Sequence, residues 1–531
     1  MPRPAVLRLF LGALLLSGAV GCSRPEPAPR GVLRISQRNE PADLDPARAT
    51  LPDEFFILRA LGEGLVAPSP DGGTPQPAAA SGWSVSTDGL TYTFHLRPDA
   101  RWSNSSPVTA DDFVASYERL LSPATAAPKA GLFFMVRGAR DYATGRLQDF
   151  SAVGFQAPDP RTLVVTLERP MPRFLDYAAS GPWIPVNPRV VARHGRLWTR
   201  PGHFVGNGPF TLVEWRPHQR IVVQRNPAYH DAARFHLAAI HFVAFDNGEV
   251  EERAFRAGQL DVTMAIPFSK VEAYRQERSA EAHRAPLAET RYLSFNTTRA
   301  PLSDGRVRRA LSLALDRAKL VDKVLRGGQE PAGRLVPPAL RDSADKEPVL
   351  GGASADDPAA ARALLAAAGF PDGRGFPRLE LSSWVGSAVC EAVQAMWKKE
   401  LGIDVVLVNR EAKDHLASLA AGRYDIAFMT AIPDVADAAN LLGDFVSGSP
   451  GNYPQWSDAR YDALLAAAAA APAGEQAARL REAEARLLDQ VPLAPLYFNS
   501  VNWLMRPGVR GWHQDPLWTR FYQDLSVDEP E

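Results

Sequence analysis

The chain has 531 residues, 46% hydrophobic and 22% charged, with 59 Lys+Arg against 60 Asp+Glu and a net charge of −1. At roughly 150 residues per domain, that length supports several hydrophobic cores. The composition excludes collagen, coiled coil and wholesale disorder, and the even charge argues against a nucleic-acid binder, which carries a basic excess or stripe. Only 8 of the cations are Lys, an Arg bias that reads as codon usage rather than a phosphate-binding device. Pro is plentiful at 46, so many loops interrupt the elements.

Arg3 and Arg8 make a basic start, residues 9–20 are an apolar run, and Gly21-Cys22 follows. These are the three parts of a secretory signal. The run is too short to span a membrane as a helix, which takes about 20 apolar residues. The small residues of Ala19-Val20-Gly21-Cys22 resemble a bacterial lipoprotein signal. That resemblance implies cleavage before Cys22 and a lipid on Cys22; a plain secretory peptide is the alternative. Residues 23–30 (SRPEPAPR) then form a Pro-rich tether. Two cysteines cannot build a disulfide framework or a thiolate cluster. With Cys22 lipidated, Cys390 has no partner and is expected as a small buried residue on a helix around 388–401.

Further along, Tyr92, Phe94 and Leu96 alternate with Thr91, Thr93 and His95, which predicts a half-buried strand. Thr109 is placed to cap a helix whose first turn carries Asp111 and Asp112. Leu163, Val165 and Leu167 mark another strand. Gly206-Asn207-Gly208 before Pro209 predicts a turn. Residues 221–223 and 240–245 read as strands, with His236 and His241 in or beside one. Val307, Ala310, Leu311, Ala314, Ala318 and Val321 line one helical face. Asp304-Gly305 punctuates its start and Gly327-Gly328 its end. Residues 358–368, 388–401, 460–471 and 474–489 are further helices. No fixed-period repeat appears. Strands interleaved with helices over this length predict an α/β protein of more than one lobe.

The chain has no G-x-S-x-G elbow, no H-E-x-x-H and no G-x-x-x-x-G-K-[ST]. No catalytic residue, metal ligand or cofactor is assigned.

An ordered series of motifs resembles the oligopeptide- and dipeptide-binding family, the family 5 solute-binding proteins of peptide ABC transporters. It begins with Leu44-Asp45-Pro46, Gly62-Glu63-Gly64-Leu65-Val66 and Asp88-Gly89-Leu90-Thr91-Tyr92-Thr93-Phe94-His95-Leu96-Arg97. Arg101-Trp102-Ser103 and Pro107-Val108-Thr109-Ala110-Asp111-Asp112-Phe113 follow. Asn207-Gly208-Pro209-Phe210, Arg225-Asn226-Pro227-Ala228-Tyr229, Phe295-Asn296-Thr297 and Arg306-Val307-Arg308-Arg309-Ala310-Leu311 complete it. One departure is Asn104-Ser105-Ser106, where the family often has a glycine turn.

The resemblance implies a two-lobed α/β clamp of the periplasmic-binding-protein type, with an additional small domain on the first lobe. Its implied organisation is a signal at 1–21 and a lipidated Cys22 with tether at 22–30. Lobe I takes 31–52, 181–290 and 500–531; the additional domain takes 53–180; lobe II takes 291–499. The chain is expected to cross between lobes near 291–296 and 497–501. A peptide would lie in the interlobe cleft and pair its main chain with protein strands.

The segment expected to read the peptide amino end is 424–434, ending at Asp434, with Asp437 as the rival carboxylate. Phe428, Thr430, Ala431 and Ile432 are the expected contacts along it. Glu40 and Ala42 are expected on the facing strand; for Glu40 a structural surface role is equally open. Thr430-Ala431 stands where the family often has Gly-Trp, and Phe428 where a cation for the peptide carboxylate is sometimes found.

The implied function is a periplasmic or otherwise extracytoplasmic lipoprotein, anchored by its lipid, that delivers peptides to ABC permease subunits. It is expected to be a monomer, not an enzyme, with no nucleic-acid partner. The alternatives are another solute in the same fold (murein peptide, nickel, haem or sugar) or a signalling or chaperone-like lipoprotein that binds a protein. Cys22→Ser should leave the precursor uncut or move the protein to the soluble fraction; a variant that fractionates with membranes as wild type does would refute the anchor.

Overall fold

The computed structural model describes residues 31–38, 40–341, 356–385 and 387–528. The expected signal and Cys22 lie outside them. The first lobe rests on a four-stranded sheet ordered Val32–Gln37, Ala239–Ala244, Arg220–Arg225, Phe210–Arg216. The first two strands run parallel, with Ile35 opposite Phe242, and the rest antiparallel. Leu33, Ile57, Leu61, Val223 and Ile240 form its core with Val501, Trp503 and Leu525 from the chain's end.

An additional domain is inserted between the elements of this lobe. Its antiparallel sheet is ordered Ala80–Val85, Thr91–Leu96, Thr162–Thr166, Phe155–Asp159. Tyr92, Phe94 and Leu96 point inward, as do Leu163 and Val165, so the sequence alternation is the burial alternation. The helix Ala110–Leu121 covers this core. Its first turn is tied down by Asp112, which accepts the Thr109 N–H at 3.0 Å and the Trp102 indole N–H at 3.1 Å. Phe133 and Trp183 stack with centroids 4.3 Å apart.

The predicted turn at Asn207 fastens this domain to the lobe. Asn207 Oδ1 accepts the Glu63 N–H at 3.1 Å, and its Nδ2 donates to the Glu63 carbonyl at 2.9 Å. The flanking glycines make room. A Cβ on Gly206 would overlap the Leu61 carbonyl oxygen, and one on Gly208 would overlap the Gly62 backbone.

The second lobe carries a six-stranded sheet ordered Glu330–Pro331, Leu493–Leu504, Ala282–Phe295, Ile426–Ala431, Leu379–Ser383, Val405–Asn409. The helices Pro358–Ala367, Ser387–Leu401, Ala459–Ala470 and Ala473–Gln490 fall within a residue of the sequence-derived bounds. Cys390 is buried on one of them, and burial pushes its thiol up to about 11.

The helix predicted from 304 to 327 is broken. Gly305–Leu313 ends, Asp316 caps a new turn by accepting the Lys319 N–H at 2.8 Å, and Leu320–Leu325 continues with a π-helical repeat. The buried Arg317 accompanies the break. Its guanidinium donates to the Pro495 carbonyl at 2.7 Å and the Ser312 carbonyl at 3.2 Å, with Asp356 as its ion partner. The apolar period runs straight through the break and does not mark it.

Two long antiparallel strands, Ala282–Phe295 and Leu493–Leu504, belong to both lobes. Residues 282–286 pair with 500–504 beside the first lobe's core, and 290–294 pair with 493–498 in the second. The register shifts between Pro286 and Thr290 and again between Arg291 and Tyr292, the second within the expected crossing at 291–296. Gly208→Ala should lower the denaturant midpoint by an amount equal to about 1–3 kcal/mol, since the added methyl meets backbone. Gly474→Ala, in a helix with open space around it, should be neutral or stabilising.

Candidate functional site

The strand Ile426–Ala431 has two unequal sides. Along one it pairs with residues 290–295 over its whole length. Along the other, Leu379–Ser383 meets only Ile426 and Ala427. Among the described residues no strand pairs with that side from Phe428 onward. An unpaired strand side is a template for an extended chain. The strand ends at Ala431 and is followed by Ile432, which is exposed, and Pro433, which has no N–H to offer.

The expected contact residues do not form one continuous ligand-facing wall. Phe428 and Ala431 are buried in the second lobe's cores, on opposite faces of the sheet. The Thr430 hydroxyl donates to Glu289 Oε1 at 2.8 Å. Glu289 also holds Arg291 Nε at 2.6 Å and Asn499 Nδ2 at 2.9 Å, so one carboxylate ties both crossing strands to the Thr430 strand. Arg291 lies 5.8 Å over the Phe428 ring, so a cation stands beside this position although the strand itself has none. On the first lobe, Glu40 accepts the Trp215 indole N–H at 2.7 Å and the His218 backbone N–H at 3.0 Å. The Ala42 N–H donates to Glu54 Oε1 at 3.0 Å. Both residues are therefore engaged within their own lobe.

Beyond Pro433 the chain reaches across to the additional domain. Val435 is 2% exposed and sits in that domain's core. Asp434 Oδ1 accepts from Lys129 Nζ at 2.6 Å, and the Asp434 N–H donates to Asn440 Oδ1 at 2.8 Å. Asp437 caps the helix Ala438–Gly443 by accepting the Ala439 N–H at 2.9 Å. Burial pushes the Asp437 carboxyl up. Burial, and then Asp437, push the Tyr177 hydroxyl of the additional domain up. Asp444 keeps accessible surface. Desolvation by the protein around it, and then Asp434, push it up to about 6 against the opposing pull of Lys129.

Lys129, Asp444, Glu289 and Arg291 were not found from sequence. Lys129 and Asp434 are 305 positions apart, and no motif links them.

A family profile described as "Bacterial extracellular solute-binding proteins, family 5 Middle" matches residues 74–453. The chain belongs to this family. Among family 5 relatives, the probable deoxycholate-binding periplasmic protein YgiS of Escherichia coli is 34% identical over 491 residues, 91% of each chain. The structure of the E. coli murein tripeptide binding protein MppA matches with a TM-score of 0.87 at 31% identity, covering 94% of this chain and 99% of that one. The Haemophilus influenzae OppA complex with RPPGFSPFR matches at 0.84 and 30% identity, covering 94% and 100%. Against an unliganded open form of MppA, at 31% identity and coverage of 94% and 98%, the score is 0.72. The lobes here are thus arranged unlike that open form, in keeping with Val435 and the Lys129–Asp434 pair joining them.

The raised Asp444 carboxyl has a thermal consequence. Its contribution to stability is fully present below its ordinary value of 3.8 and is lost as pH rises through about 6. Asp444→Asn removes that loss. The variant should therefore melt higher than wild type at pH 7.5 and together with it at pH 4, measured by differential scanning fluorimetry across that range.

Proposed function

We propose that this chain captures peptides in the interlobe cleft and delivers them to the membrane subunits of an ABC transporter. The observation that carries this reading is the strand Ile426–Ala431, whose side is unpaired from Phe428 onward, leading into a loop that closes on the additional domain. A ligand lying there extends a sheet through its main chain, so many sequences fit, and closure shields the new hydrogen bonds from water. The relatives named for murein peptide and oligopeptide binding support it. It acts outside the cytoplasm as a monomeric carrier, held to the membrane by a lipid on Cys22, and transforms nothing.

A second reading is favoured by one contact. Asp434, the carboxylate expected to meet a ligand amine, already holds Lys129. A solute without an amine, as the name of the relative YgiS implies for that protein, suits this arrangement.

Thermal denaturation with a pooled peptide library tests the first reading. At a hundred times the dissociation constant, ligand adds about 2.7 kcal/mol, and peptides recovered by native mass spectrometry should be intact. Cleaved peptides would count against a carrier, and no thermal shift with any peptide would count against peptide capture.

A further inference from the structure

At the far end of the cleft the chain supplies its own ammonium. Lys129 and Asp434 come from opposite walls, and both side chains are partly shielded, 23% and 34% exposed. Each is anchored at its base. Lys129 precedes the turn Ala130–Phe133, whose Leu132 and Phe133 are buried in the additional domain. Asp434 is held by Asn440 and followed by the buried Val435. The pair is formed by the fold and needs no ligand.

We propose that Lys129 takes the place of a ligand ammonium at Asp434, so that the cleft selects ligands whose end at this point carries no free amino group: an N-blocked peptide or an amine-free carboxylate. This rests on the cleft being the binding site, as proposed above. A ligand amine that takes the Oδ1 position of Asp434 must displace Lys129. That exchange breaks one ammonium–carboxylate pair to make another, so the amine adds no net pairing. Lys129 is also tethered and competes at a high effective concentration, while the ligand comes from dilute solution. If both ammonium groups stay, like charges meet where water is partly excluded. A blocked or amine-free end avoids both penalties.

The other nearby carboxylates do not undo this. Asp437 accepts the Ala439 N–H, and Asp176 accepts from Arg173 Nε at 2.9 Å. Asp444, beside Gly451, lies in the field of the same Lys129, so a ligand amine approaching it also meets that ammonium. Among the described residues no hydrogen bond reaches its carboxylate to aim it at a ligand.

The test is isothermal titration calorimetry with three probes: one tetrapeptide with a free amino end, the same peptide N-acetylated, and deoxycholate. The proteins are wild type, Lys129→Gln, and Lys129→Gln with Asp434→Asn. Wild type should bind the acetylated peptide at least as tightly as the free one. Lys129→Gln should shift the ratio toward the free amine by about tenfold or more, because Asp434 is then unpaired, and adding Asp434→Asn should cancel that shift. A wild type that prefers the free amine tenfold, or a Lys129→Gln that leaves the ratio unchanged, overturns the proposal. The wild-type ratio decides even where a variant fails to fold. Binding of deoxycholate with neither peptide supports the proposal while overturning peptide capture; binding of none of the three overturns both.

Discussion

The two lobes are joined through one backbone ladder. Ala282–Phe295 and Leu493–Leu504 are central in the second lobe's sheet, and their other ends, with Leu287, Val501 and Trp503, pack into the first lobe's core. The ladder resists sliding, but its register shift between Pro286 and Thr290 interrupts the regular pairing there. Bending of one lobe against the other is cheapest at such a break. Glu289 sits at this point and holds Arg291, Thr430 and Asn499 together, so the crossing is tied to the strand with the unpaired side. Hinge and cleft wall are mechanically one piece.

Closure at the other end has two components of different size. The Lys129–Asp434 pair is partly exposed, and such pairs contribute about 0–1 kcal/mol. Burying the side chain of Val435 in the additional domain contributes about 1.5–3 kcal/mol. The apolar contact therefore does most of the holding, while the ion pair fixes which charges the closed cleft will accept. Holding and selecting are assigned to adjacent residues, 434 and 435, so a substitution at one need not disturb the other.

Much of the architecture was legible because it is written in local pattern. The strand Thr91–Leu96 and the helices Pro358–Ala367 and Ser387–Leu401 follow from periodicity, since neighbours in sequence share a face. Cys390 was legible as a buried helical residue for the same reason. The break at 314–316 was not, because the apolar period continues through it and its partner groups, Pro495 and Asp356, lie elsewhere in the chain. Family motifs located the segment that ends at Asp434. They could not tell that Phe428 and Ala431 would turn into the cores, or that Glu40 would be spent on Trp215 and His218.

By itself the sequence determined the class of fold, the helices and strands with a clear apolar period, the turn at Asn207 and the family. Each depends on residue types over short spans, or on motifs repeated in order. Only the tertiary structure decided the electrostatics of the cleft. Lys129 and Asp434, and Glu289 and Thr430, meet through the packing of separate lobes or strands. Charge interactions depend on distance in space, and 305 positions of sequence separation carry no information about a 2.6 Å contact.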